Sequence, residues 1–100
     1  MKYNKLIRDR IPEIIEAKGG RCSYHVASDD EYREKLYEKL EEESRELIEE
    51  RNVNEIADVL EVLDAIMDLE GISGEEVEKI KQEKHEKRGG FEKKLILEES

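Results

Sequence analysis

Between residues 32 and 67, apolar side chains recur every three or four positions, the spacing of amphipathic helices rather than strands. Tyr32, Leu36, Leu40 and Leu47 fall on one stripe, and Ile56, Val59, Leu60, Val62, Leu63, Ile66 and Met67 form a broader face. Start and stop signals bracket both stretches. Ser28-Asp-Asp-Glu31 has the capping-box form and predicts a long helix to about residue 51. Asn52 can end that helix and cap the next, which runs to about residue 70, before Gly71. Ser73-Gly-Glu-Glu76 is a second capping box, opening a helix that ends near residue 88 at Gly89-Gly90. A shorter helix is expected from about residue 9 to 17, with Pro12 in its first turn and Gly19-Gly20 after its end. Residues 21–27 alternate loosely and read as an extended connection or short strand. The tail over residues 91–97 has the pattern of a short strand packing back on the body. The expected fold is therefore all-α: an antiparallel bundle of about four helices with short extended segments, in one domain spanning residues 1–100.

Composition adds a requirement for partners. Only 36% of residues are hydrophobic and 46% are charged. A 100-residue chain buries only about 60–70% of its unfolded surface even when well packed. So thin an apolar content predicts that subunit contacts complete the core, as a homodimer or homotetramer. Cys22 is the one cysteine, which excludes an internal disulfide and fits a reducing compartment. No apolar run has signal-peptide or membrane-spanning length, so a cytoplasmic protein with no membrane partner is expected.

The net charge of −10 is unevenly distributed. Residues 29–76 carry nineteen acids and five bases, residues 2–10 carry four bases and Asp9, and residues 78–94 carry seven bases and four acids. An acidic body repels nucleic-acid polymers. An acidic centre with basic ends suits a cation and a phosphate chain, although ordinary solvated helix faces would look the same.

The sharper signal is a set of carboxylates on apolar faces. Glu43 falls inside the first stripe with Glu46 at its edge; Glu55 projects between Val62 and Ile66, with Asp58 at the margin. A carboxylate directed at an apolar face is costly unless it is paired or bound to a cation. Each helix offers a pair at i, i+3, which shares one face. Facing each other, Glu43, Glu46, Glu55 and Asp58 would supply four oxygens, the donor set of hard divalent cations. A salt bridge from Glu43 to Arg45 or Arg51 is the competing reading.

The string Lys39-Leu-Glu-Glu-Glu-Ser-Arg-Glu-Leu47, followed by Glu55-Ile-Ala-Asp-Val-Leu-Glu-Val62, resembles the all-α nucleotide pyrophosphohydrolase superfamily. That group includes MazG, phosphoribosyl-ATP pyrophosphohydrolase and the dimeric dUTPases. Its pattern is Glu-Glu-x-x-Glu on one helix, matched by Glu42, Glu43 and Glu46, and Glu-x-x-Asp on the next, matched by Glu55 and Asp58. The opening Tyr3-Asn-Lys-Leu-Ile-Arg-Asp-Arg-Ile-Pro-Glu-Ile-Ile15 and the late Arg88-Gly-Gly-Phe91 resemble its compact house-cleaning branch. Eight residues separate Glu46 from Glu55, a shorter connector than many members have. The resemblance implies Mg²⁺, with Mn²⁺ as a substitute, held by Glu43, Glu46, Glu55 and Asp58. It implies catalytic roles for Glu42, Glu43 and Glu46, with Glu42 outside the metal shell or orienting the attacking water. The implied reaction is hydrolysis of a nucleoside triphosphate to monophosphate and pyrophosphate, the nucleotide being the partner.

Cations for the triphosphate must come from outside the acidic cluster. Lys84 and Arg88 share a helix face at i, i+4 and are the candidate phosphate-binding pair, with Lys81 and Lys87 nearby. Stabilisation of a helix C-terminus explains them equally well. Lys5, Arg8 and Arg10 present the same choice, and Arg8 with Asp9 can instead form a structural pair. His25 and His85 stand without a partner at zinc-ligand spacing. Cys22, Ser23 and Ser44 lack the setting of a nucleophile, and no glycine-rich phosphate loop occurs. Two other functions share these features: phosphoribosyl-ATP hydrolysis in histidine synthesis, and a non-catalytic acidic helical module.

Overall fold

The computed structural model describes residues 4–100, and four α-helices are its only regular elements there. Lys2 of the basic N-terminal cluster and Tyr3 of the opening motif lie outside the described residues. Helix α1 is Ile11–Ala17, α2 is Asp29–Glu50, α3 is Val53–Glu70 and α4 is Gly74–Arg88. The fold class is all-α.

Three caps form as the sequence dictates. The side-chain oxygens of Ser28, Asn52 and Ser73 accept from the backbone N–H of Glu31, Glu55 and Glu76 at 3.2, 3.1 and 3.1 Å. Each satisfies one of the orphan donors at a helix start, worth about 1 kcal/mol. The division of labour between α2 and α3 differs from the expectation that Asn52 does both jobs. Arg51 takes the left-handed conformation (φ 52°) and ends α2, so Asn52 caps only α3. Arg51 Nε donates to the Ile48 carbonyl at 2.8 Å, offsetting part of the strain of that backbone. Helix α1 starts two residues later than its pattern suggests, because Asp9 and Arg10 form a turn before it. Gly20 sits so close to α1 that a Cβ there would meet Ile15 Cγ2 at 3.0 Å.

Helices α2 and α3 form an antiparallel hairpin across the tight Arg51-Asn52 turn and carry most of the packing between elements among the described residues. Leu36 and Val62 are buried between them. Burying each contributes about 1.5–3 kcal/mol. Arg33, in the first turns of α2, makes an ion pair with Glu70 at the end of α3 and ties the open end of the hairpin.

Helix α4 turns away at Gly71 (φ 68°) and buries none of its residues. Val77 and Ile80 are its only aliphatic side chains, too few to hold it against the hairpin. The radius of gyration is 17.9 Å, with extents of 56 × 30 × 24 Å. A compact 100-residue domain has a radius near 13 Å. The two expected strand-like pieces do not form a sheet: residues 21–27 run as an irregular connection, and Phe91, Leu95, Ile96 and Leu97 of the tail stay exposed. Among the described residues no neighbouring strand offers either segment a ladder of hydrogen bonds. Among the described residues no helix is long and apolar enough to cross a membrane.

Candidate metal centre

Glu43 points from α2 into the hairpin and is 7% exposed, the one charged residue buried among the described residues. The α3 capping turn sets Glu55 opposite it, and Asp58 follows one turn later. One carboxylate oxygen from each of Glu43, Glu55 and Asp58 lies within 4.8 Å of the other two. Oxygens bound to one Mg²⁺ ion stand at most about 4.2 Å apart, so the triplet needs no more than a small side-chain adjustment to share a cation.

Two further facts separate this cluster from a solvated acidic surface. Glu43 Oε2 and Glu55 Oε2 are buried and receive no hydrogen bond from the described residues. Desolvation of that kind is costly for an ionised oxygen and is relieved by a cation. The donor set is also all oxygen, which a hard divalent ion requires. On both grounds the residues fit Mg²⁺.

Cations line the cluster on one side. Lys39 Nζ reaches Glu42 Oε2 at 3.2 Å and Glu43 Oε1 at 3.4 Å, a turn below each on α2. Lys5 Nζ reaches Glu42 Oε1 at 3.2 Å, and Arg8 donates through a terminal guanidinium nitrogen to Asp58 Oδ1 at 2.9 Å. Lys5, Arg8, Lys39, Glu43 and Asp58 share an open groove of about 570 Å³, walled by apolar side chains that include Leu6, Ile7, Ile11, Leu36 and Val62.

The two central glutamates respond oppositely. Burial, then the neighbouring charge of Glu46, raises the Glu43 carboxyl above the ordinary range; Asp58 adds to this and Lys39 opposes it. Burial also acts to raise Glu42, but hydrogen bonds and charge from Lys5 and Lys39 together outweigh it and hold Glu42 below the ordinary range. Two adjacent carboxylates thus have divergent proton affinities, a frequent property of acid–base sites.

The predicted residues separate into two groups. Glu43, Glu55 and Asp58 come together. Glu46 is half-buried and close enough for its charge to act on Glu43, but stands outside the triplet. Glu42 faces Lys5 and Lys39 at the rim. Lys84 and Arg88 do not line the groove; Lys84 borders a separate concavity along α4 with Val77 and Ile80. The expected pairing of Glu43 with Arg45 or Arg51 gives way to Lys39, and Arg8 crosses to Asp58 rather than to Asp9. Lys39 was legible as a neighbour of Glu42 and Glu43 at i, i+3 and i, i+4. Arg8 and Asp58 are fifty positions apart, and no local spacing announces their contact.

No family model matches the chain, and neither does any solved structure. An uncharacterized protein of Mycolicibacterium smegmatis is 51% identical over 43 residues, 43% of this chain and 44% of that protein. The match therefore spans less than half of the curated relative.

Proposed function

We propose that the groove is a Mg²⁺ centre and that the chain hydrolyses a nucleoside triphosphate to its monophosphate and pyrophosphate, as the all-α pyrophosphohydrolases that its motifs resemble do. The observation that carries the metal reading is the Glu43, Glu55 and Asp58 triplet with two buried oxygens lacking donors. The reaction itself rests on the motif resemblance. House-cleaning of non-canonical nucleotides is the role this branch suggests, with phosphoribosyl-ATP as the other substrate of the same chemistry.

Glu43, Glu55 and Asp58 would hold the ion, with Glu46 as the fourth oxygen donor that the motif implies. When bound, Mg²⁺ supplies charge neutralisation along the triphosphate and stabilises charge developing at the α-phosphorus. Glu42, favoured in its ionised form by Lys39 and, before substrate binds, by Lys5, is suited to accept a hydrogen bond from the attacking water and orient it. Water adds to the α-phosphorus as the bond to the α–β bridging oxygen breaks; pyrophosphate leaves and the water's proton passes to solvent. Lys39 fixes Glu42 and Glu43 relative to one another, and Leu6, Ile7 and Val62 give the open groove an apolar wall.

The assembly we propose is a homodimer or homotetramer in the cytoplasm. Val53, Ile56, Leu60 and Leu63 of α3 recur at three- and four-residue spacing and remain exposed, a seam suited to a second copy. Glu46→Ala and Asp58→Ala test the centre: each should lower Mg²⁺-dependent pyrophosphate release at least about 100-fold while circular dichroism retains the helices. Unaltered release in both variants contradicts the assigned site. Changed assembly with no hydrolysis in the parent protein favours the non-catalytic module.

A further inference from the structure

Lys5 and Arg8 belong to the non-helical segment ahead of α1, yet both reach the groove from outside the hairpin. The segment is held there by half-buried Leu6, Ile7 and Ile11, which line the same groove. The two cations therefore stay at the rim whatever their polar partner. Arg8 engages Asp58, one of the three carboxylates that come together, and Lys5 engages Glu42.

We propose that Lys5 and Arg8 form a partner-switching strap. In the metal-free protein they neutralise Glu42 and Asp58; once Asp58 is committed to a divalent cation, Arg8 turns with Lys5 to the phosphates of the substrate. The proposal rests on the metal reading above and assigns the phosphate-binding cations of that same site to the N-terminal segment rather than to Lys84 and Arg88.

The energetics favour exchange. The Arg8 and Asp58 side chains are 57% and 40% exposed, and ion pairs that exposed are weak and screened by salt. Their contact is therefore easily displaced by a cation. A guanidinium presents a planar fork of donors that matches phosphate as well as carboxylate, so Arg8 loses one anionic partner and gains another. Arg10, two residues along, makes a different kind of pair, with Glu13 of α1, and does not line the groove.

Titration calorimetry on the metal-stripped full chain at low ionic strength separates the possibilities, with Mg²⁺ alone and then inorganic tripolyphosphate in the presence of Mg²⁺. Arg8→Gln should bind Mg²⁺ more tightly, by up to about fivefold, because a competitor for Asp58 is removed. It should bind tripolyphosphate about tenfold or more weakly, because a charge-assisted donor is lost. Lys5→Gln should weaken tripolyphosphate binding in the same sense. A gain in metal affinity cannot come from misfolding, so a purely structural role for Arg8 would not reproduce this pair of opposite changes. Arg10→Gln should leave both affinities unchanged; matching the Arg8→Gln shifts would overturn the strap in favour of bulk charge. Unchanged or weaker Mg²⁺ binding by Arg8→Gln, or undiminished tripolyphosphate binding, overturns the strap while leaving the metal centre intact. Absence of Mg²⁺ uptake by the parent protein overturns the metal reading and the strap with it.

Discussion

In the α2/α3 hairpin a glutamate, Glu43, is 7% exposed, while on α4 an isoleucine, Ile80, is 48% exposed. Ordinary partitioning runs the other way. The hairpin buries Glu43 because Leu36 and Val62 flank it on the packed stripe and Lys39 accompanies it. Helix α4 leaves Ile80 outside because capping and propensity suffice to form the helix, whereas tertiary packing needs a longer apolar stripe. Both regions are rich in charge, the hairpin mainly in acids and α4 in both signs, but only in the hairpin does a charge fall on a packed apolar face. One region therefore has the makings of a site, and the other is a charged arm that buries none of its residues.

The strongest way to break this comparison is to truncate a buried side chain of the hairpin and an exposed one of α4. Leu36→Ala should cost about 2–5 kcal/mol in denaturant unfolding, because a filled interior position is emptied. Ile80→Ala should cost under about 0.5 kcal/mol at protein concentrations where the chain is monomeric. A large loss at Ile80 under those conditions would place α4 in the same core as the hairpin.

The caps give a smaller effect. Asn52→Ala should lower global stability by about 1 kcal/mol, since α3 is half of the hairpin. Ser73→Ala should reduce the helicity of α4 in circular dichroism with no shift of the main unfolding midpoint. Equal midpoint shifts in both variants would show one cooperative unit.

Proton linkage is the smallest effect. Glu43 has its folded affinity for a proton raised, so its contribution to metal-free stability is present below the ordinary carboxylate range and is lost as pH rises through the raised folded value. Glu42 is lowered, so its contribution is present above the ordinary range and is lost as pH falls through the lowered folded value. Glu43→Gln should therefore remove the loss on the high-pH side and stabilise the metal-free protein at neutral pH by up to about 1 kcal/mol. The same substitution should weaken Mg²⁺ binding. In the parent protein Mg²⁺ should bind more tightly as pH rises through the Glu43 transition and level off above it, as calorimetry in matched buffers would record.

Much of this was legible from local spacing. The three caps, the four helices and the turn toward one another of Glu43, Glu55 and Asp58 all follow from periodicities of three and four residues. What periodicity cannot convey is contact between distant segments. Arg8 with Asp58 and Lys5 with Glu42 depend on how residues 4–10 lie across the hairpin. Lys84 and Arg88 failed to reach the groove for a related reason: a shared helix face says nothing about where that helix goes. Arg51 was hidden because left-handed backbone at an arginine has no strong sequence signal.

The most direct test is pyrophosphate release from a panel of standard, deoxy, oxidised and deaminated nucleoside triphosphates plus phosphoribosyl-ATP, with Mg²⁺ and with chelator. Chelator-sensitive release matched one-to-one by monophosphate is expected, with the preferred substrate deciding between house-cleaning and histidine synthesis. No release from any of these by folded protein, together with no Mg²⁺ binding, would contradict it.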